Sequence, residues 1–208
     1  MFRKNRVINR RKLIAKLDAI GVPRSAYSLC NPIGNPLYNP MCSTTLYPFT
    51  MRFFQRNYSY VKKNGGYSLE YSYNGAAFFL KKFENGEEQK LSGLGSNCFC
   101  SEAGACEALY ILLGKEYGKE SQLVFEEDPK IIKKMYRKLH WKEGMERLFA
   151  YDISHELTDA GDNFSLQFDP KTKIWYLFFF ERGGKSLLCF FRTETTALIE
   201  LYNEVVKC

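Results

Sequence analysis

The chain has 208 residues, 45% apolar and 25% charged, ordinary proportions for a globular protein with a real core. They exclude collagen-like, coiled-coil and wholly disordered chains, and the longest uncharged apolar run, Ile174 to Phe180, is far short of the ~20 residues that cross a bilayer. The net charge of +7 is concentrated at the start: Arg3, Lys4, Arg6, Arg10, Arg11 and Lys12 fall within the first dozen residues with no acid among them, leaving 24 basic against 23 acidic residues elsewhere.

That basic arm reads as a solvated leader into the first helix, or alternatively as a phosphate-contacting segment. It carries neither an apolar h-region nor a small-residue cleavage site, so a cytoplasmic location is expected. From Arg10 to Ile20, Leu13, Ile14, Leu17 and Ile20 recur on one helical stripe, which Gly21-Val-Pro23 ends. Residues 24–50 hold Pro32, Pro36, Pro40 and Pro48 and are expected to be irregular. Strands are expected at Asn57–Tyr60 and Tyr67–Tyr73. In the latter Tyr67, Leu69, Tyr71 and Tyr73 alternate with Ser68, Glu70 and Ser72, which implies one wet face.

Residues 76–97, with Asn85-Gly86 and Ser92-Gly-Leu-Gly-Ser96, look like an inserted hairpin and flexible loop. Ser101 is a good N-cap for a helix bearing Ala105, Cys106, Leu109, Tyr110 and Leu113 on one face, with Gly114 as its stop. Residues 120–128 read as a linker. Pro129 then opens a basic amphipathic helix to Trp141, with Ile131, Ile132, Met135, Tyr136 and Leu139 on its stripe. Acidic turns follow at Asp152, Glu156, Asp159, Asp162 and Asp169. Ile174 to Phe180 and Leu187 to Phe191 are apolar on both alternations, which predicts a sheet covered on both faces, by the rest of the chain or an oligomer, or alternatively an apolar patch awaiting a partner. Thr193 caps a last helix with Ala197, Leu198, Leu201, Tyr202 and Val205 inward.

Two segments share the pattern F-x-S/T-E-x-x-A-x-x-x-L-Y. Phe99, Ser101, Glu102, Ala105, Leu109 and Tyr110 overlie Phe191, Thr193, Glu194, Ala197, Leu201 and Tyr202 at an offset of 92. Upstream, Tyr67–Gly75 can be laid on Trp175–Gly183 and Asn57–Tyr60 on Asn163–Leu166, which assigns 16 extra residues to the first copy after Gly75. The expectation is an α+β protein of two tandem α-β-β-β-α units with antiparallel sheets and helices packed on them: 1–119 with the basic arm and the 76–97 insertion, and 129–208. Glu102 and Glu194 need no catalytic role, because a first-turn acid is favoured by the helix dipole.

Seven cysteines without a secretion signal suggest a reducing compartment. Cys98, Cys100 and Cys106 have a C-x-C-x5-C spacing unlike structural zinc sites, so neither metal nor cofactor is expected there. His140 and His155 are the only histidines, and neither lies in a nucleophile motif.

Ile20-Gly-Val-Pro23 followed by Tyr27-Ser-Leu29, Trp175-Tyr-Leu-Phe-Phe-Phe-Glu-Arg-Gly183, and Phe190-Phe-Arg-Thr-Glu194 with its Ala197/Leu201/Tyr202 helix resemble small immunity proteins of bacterial polymorphic and contact-dependent toxin systems. The resemblance covers about half of the chain and carries over no catalytic residue. It implies a non-enzymatic protein that neutralises one cognate toxin by occlusion. An interface is expected where the two copies differ, at Tyr38, Tyr47 and Phe49, at Lys81, Lys82, Glu84, Glu87 and Glu88, and at Asp159 and Asp162. The alternative is a nucleic-acid-associated regulator using Arg3, Lys4, Arg6, Arg10, Arg11, Lys12 and exposed tyrosines.

Overall fold

A computed structural model describes residues 7–29, 60–72, 77–91, 94–142, 151–158 and 163–207. The protein is α+β, with two mixed sheets and a layer of helices. Helix α1 (Arg10–Ala19) starts where Asn9 Oδ1 accepts the Lys12 N–H at 3.0 Å. It buries Leu13 and Leu17 and ends in a Schellman turn: Gly21, at φ +75°, lets Val22 N–H reach the Leu17 carbonyl at 3.0 Å.

Strand β1 (Tyr27–Leu29) then runs parallel to β2 (Gly66–Ser72), which pairs antiparallel with β3 (Ala77–Glu84). Asn85 and Gly86, both at positive φ, turn β3 into β4 (Glu87–Gln89), and β5 (Cys98–Phe99) continues along the same side of β3. Helix α2 (Glu102–Glu116) closes this half. The second half follows the same order. Helix α3 (Pro129–Lys142) precedes β6 (Tyr151–Ser154), which is parallel to β7 (Phe164–Asp169). Strands β8 (Ile174–Glu181) and β9 (Gly184–Phe191) follow, antiparallel, before α4 (Glu194–Lys207).

These registers correct the expected correspondence. Tyr67, Ser68 and Leu69 pair with β1 as Phe164, Ser165 and Leu166 pair with β6. Strand β2 is therefore the counterpart of β7, not of the Trp175 strand. The counterpart of Trp175–Gly183 is Phe78–Gly86, with Leu80, Phe83, Glu84 and Gly86 answering Leu177, Phe180, Glu181 and Gly183. Each half carries a short parallel strand beyond the expected three-stranded meander. The region from Ala77 to Gln89 is scaffold rather than insertion. The offset falls only from 97 at the hairpin turn to 92 at Phe99, so the first half has five extra residues, located between β4 and β5. Tyr60 lies in a helical turn over 60–64, not in a strand.

Other expectations shift for local reasons. Gly114 lies inside α2, where a Cβ would sit 2.6 Å from Leu123 Cδ2, and the helix runs on to Glu116. Residues 120–128 are docked rather than loose: Val124 N–H donates to Tyr110 Oη at 3.2 Å, and Phe125 meets the Tyr110 ring edge-on. Ser68 is fully buried, so the supposed wet face of β2 is dry there.

One contiguous core joins the halves, from Leu13 and Leu17 through Leu69, Leu80, Phe99 and Leu109 to Leu166, Leu177, Phe191 and Leu201. A β-bulge leaves Leu188 without a cross-strand mate, and its carbonyl accepts Ser96 N–H at 2.8 Å. The five additional residues of the first half thus reach the edge strand of the second. Gly95, at φ +60°, makes that approach possible, since a Cβ there would be 2.2 Å from the Leu187 carbonyl oxygen. No helix among the described residues is long and apolar enough to cross a membrane.

Candidate functional site

The buried carboxylates belong to helix ends. A helix leaves its first N–H groups without intrahelical acceptors, and burying them bare is costly. The backbone leading into α2 and that leading into α4 each meet a carboxylate from the other helix, while the first-turn N–H groups of Glu194 and Thr195 in α4 donate to Glu127 at 2.7 and 3.0 Å. Glu107 of α2 accepts from Arg192 N–H at 2.5 Å, Thr193 N–H at 3.2 Å and the Thr193 hydroxyl at 2.8 Å. Glu200 of α4 accepts from Cys100 N–H at 2.5 Å and from the Ser101 hydroxyl. Both glutamates are essentially inaccessible to solvent. Burial pushes both carboxyls above their ordinary range, that of Glu200 to about 8. Gly104 creates room for Glu200: a Cβ there would lie 2.6 Å from Glu200 Oε2. At the next helix end, Glu102 Oε1 accepts from Arg10 N–H at 3.1 Å and Nε at 2.9 Å, so one carboxylate serves the N-termini of both α1 and α2.

The exposed surfaces offer binding chemistry. A cleft of about 430 Å³ lies between β3–β4 and the end of α2, floored by Leu91 and Leu112 and walled by Tyr67, Lys82, Lys115 and Glu116. Tyr67 Oη donates to Glu116 Oε2 at 2.8 Å, and burial together with that carboxylate keeps the phenol protonated far above neutrality. The Lys82 ammonium lies 2.8 Å from Glu84 and 3.4 Å from Glu116, and the Glu84 bond holds it charged. These groups suit holding a ligand's polar atoms rather than exchanging a proton near pH 7.

On the second sheet, Trp175, Leu177, Cys189 and Phe191 face inward and are buried. The opposite face is only half-covered, contrary to the expectation of complete cover. Tyr176 and Phe178 stack at 5.9 Å, Phe190 lies 6.5 Å from Tyr176, and Lys185 Nζ sits 4.2 Å above the Phe178 ring.

The residues singled out from sequence divide three ways. Tyr38, Tyr47, Phe49, Asp159, Asp162, Arg3, Lys4 and Arg6 lie outside the described residues. Lys81, Lys82, Glu84, Glu87 and Glu88 all lie on β3 and β4 but divide between the two faces of the hairpin: Lys81 pairs with Glu70 at 3.2 Å and Glu88 at 3.5 Å, whereas Lys82, Glu84 and Glu87 share the face toward α2. Of the basic arm, Arg10 is committed to Glu102, Arg11 is exposed, and Lys12 lies in the first turn of α1. His155 is exposed and edge-on to Trp175. Sequence reasoning passed over Glu107 and Glu200; their signal was a lone acid between apolar neighbours, Cys106 and Ala108 in one case, Ile199 and Leu201 in the other. Comparison with protein-family models, curated proteins and solved structures gave no match for the chain.

Proposed function

We propose that the protein is a non-catalytic bacterial immunity protein that acts in the cytoplasm by covering the active surface of one cognate toxin. The observation that carries this reading is the half-buried aromatic face of Tyr176, Phe178 and Phe190 with Lys185 above it. Aromatic anchors beside a charged rim are the composition of protein–protein hot spots. The charges of the β3–β4 hairpin, Lys81 and Glu88 on one face and Lys82, Glu84 and Glu87 on the other, are of the kind that tune encounter rate. The sequence resemblance supports the same reading, although its motif residues do structural work here: Trp175 is core, Arg182 and Gly183 form the positive-φ turn, and Glu194 opens α4. Two copies of one unit, 1–119 and 129–208, belong to the proposal, supported by the matched strand order and register of the two sheets. The test is protection: cells expressing a toxin domain encoded beside this gene should survive when the chain is co-expressed, and Tyr176→Ala with Phe178→Ala should abolish survival while leaving the fold intact. Survival that is unaffected by this double change, or absent with the intact chain, removes the reading.

Nucleic-acid association is a second reading, and one observation favours it. Helix α3 exposes Lys130, Lys133, Lys134 and Arg137 along one face and contains no acidic residue. This moves the candidate phosphate contact from the N-terminal arm to α3. Binding to duplex DNA or RNA should then weaken steeply with salt, and Lys133→Glu with Lys134→Glu should flatten that dependence. Salt-independent binding, or none, excludes it.

A further inference from the structure

We propose that Cys100, Glu200 and Glu204 form a binding site for one divalent cation of the zinc class. The Cys100 sulfur and one oxygen of each glutamate lie within 4.8 Å of one another. Glu200 and Glu204 are one helical turn apart on α4, so they share a face. Cys100 stands between β5 and α2, opposite that face, held there by the bond from its own N–H to Glu200. Thiolate sulfur and carboxylate oxygen are both accepted zinc ligands, at ~2.3 Å and ~2.0–2.2 Å respectively. A tetrahedral shell brings such ligands to roughly 3.5 Å from one another. Cys100 and Glu204 are only half-buried and have room to close that distance.

The two helix starts differ in composition. At the Glu107 end, the carboxylate is surrounded by the hydroxyls of Thr193 and Thr196. At the Glu200 end, Gly104 takes the place that Thr196 has in the other half, and a second carboxylate and a thiol are added. Two carboxylates one helical turn apart beside a thiol are a donor set that a cation can bridge.

Cys189 is 1% exposed on β9, which packs against α4, and its thiol is free. Burial, and after it the charges of Glu200 and Glu204, push that thiol up. The set differs from the Cys98, Cys100, Cys106 grouping that spacing argued against: Cys106 is in the core on the side of α2 near Arg10 and Glu102 and takes no part.

The test uses the full chain, stripped with a chelator and titrated with Zn²⁺ by calorimetry and with Co²⁺ by absorption. The expected result is one ion per chain, a thiolate-to-cobalt band in the near ultraviolet, and a melting temperature that rises with Zn²⁺. Cys100→Ser should remove the band, and Cys100→Ser and Glu204→Gln should each weaken Zn²⁺ binding by at least about tenfold, the scale seen even for residues behind metal ligands. Both residues are half-buried, so circular dichroism can verify that the variants stay folded. Absence of one-to-one binding at about 10 μM Zn²⁺ would overturn the proposal. Binding that survives both substitutions unchanged would overturn it equally.

Discussion

Replacing Glu107 tests whether a side chain of one half closes the helix of the other. In Glu107→Ala, the N–H groups of Arg192 and Thr193 lose their acceptor, and the Thr193 hydroxyl keeps only Thr196. A buried donor left unmade costs about 1–3 kcal/mol, so the expected loss is about 3 kcal/mol or more. Glu107→Gln keeps the shape and one acceptor, and should cost less. The two differ further in their response to pH. Burial raises the folded-state carboxyl above its unfolded value of 4.5, the hydrogen bonds opposing it only in part. In the window just above 4.5 the folded chain holds a proton that the unfolded chain has released. Stability from this group is therefore complete below pH 4.5 and is lost as pH rises through the folded value, at up to about 1.4 kcal/mol per pH unit. Glutamine removes that slope, so the wild-type advantage over Glu107→Gln should shrink as pH rises above 4.5. Urea unfolding followed by the fluorescence of buried Trp175, with circular dichroism alongside, reads both effects. A loss under about 0.5 kcal/mol for the alanine variant, or a wild-type-to-glutamine difference constant with pH, would refute the reasoning.

Three further changes follow from packing. Gly104→Ala forces Glu200 from its seat, because the new Cβ would sit 2.6 Å from Oε2; about 1–3 kcal/mol should be lost, and Glu200→Gln should not restore it, since the clash is steric. Gly95→Ala should cost clearly more than Gly86→Ala, measured as a difference in urea midpoint: both have positive φ, but only Gly95 abuts another backbone, at Leu187, whereas Gly86 faces open space. Phe99→Ala and Phe191→Ala should each destabilise by about 3–5 kcal/mol in thermal or urea unfolding, since both rings are wholly buried at matching positions beside β3 and β8.

What was legible in the sequence was local. The four long helices follow from 3.6-residue stripes, and two of their starts from Ser101 and Thr193 as side-chain acceptors. The offset of 92 was readable because strand end, cap, first-turn acid and inward face are neighbours in the chain. The hairpin register was missed because the tyrosines of β2 resemble the aromatic strand β8, while the better guide was the turn: Glu84-Asn-Gly86 answers Glu181-Arg-Gly183. Strands of three and four residues such as β1 and β6 have too few positions to display an alternation, and their parallel pairing depends on the neighbour's edge. The meeting of Cys100 with Glu200 and Glu204 was out of reach, being about a hundred positions apart and dependent on how α2 crosses α4.

The exchanged carboxylates of Glu107 and Glu200 make the two halves mutually indispensable. A fragment ending near residue 119 would hold the Glu107 carboxylate without its Arg192 and Thr193 donors and leave Cys100 N–H without Glu200; the fragment after it would lose the partners on the other side of the same bonds. Neither is a self-sufficient module, despite the parallel layout. A nick in the 117–122 turn should leave the pieces clasped, and separately made halves should gain order only on mixing. Any sequence drift at one helix start is answerable to a residue about 85 to 100 positions away.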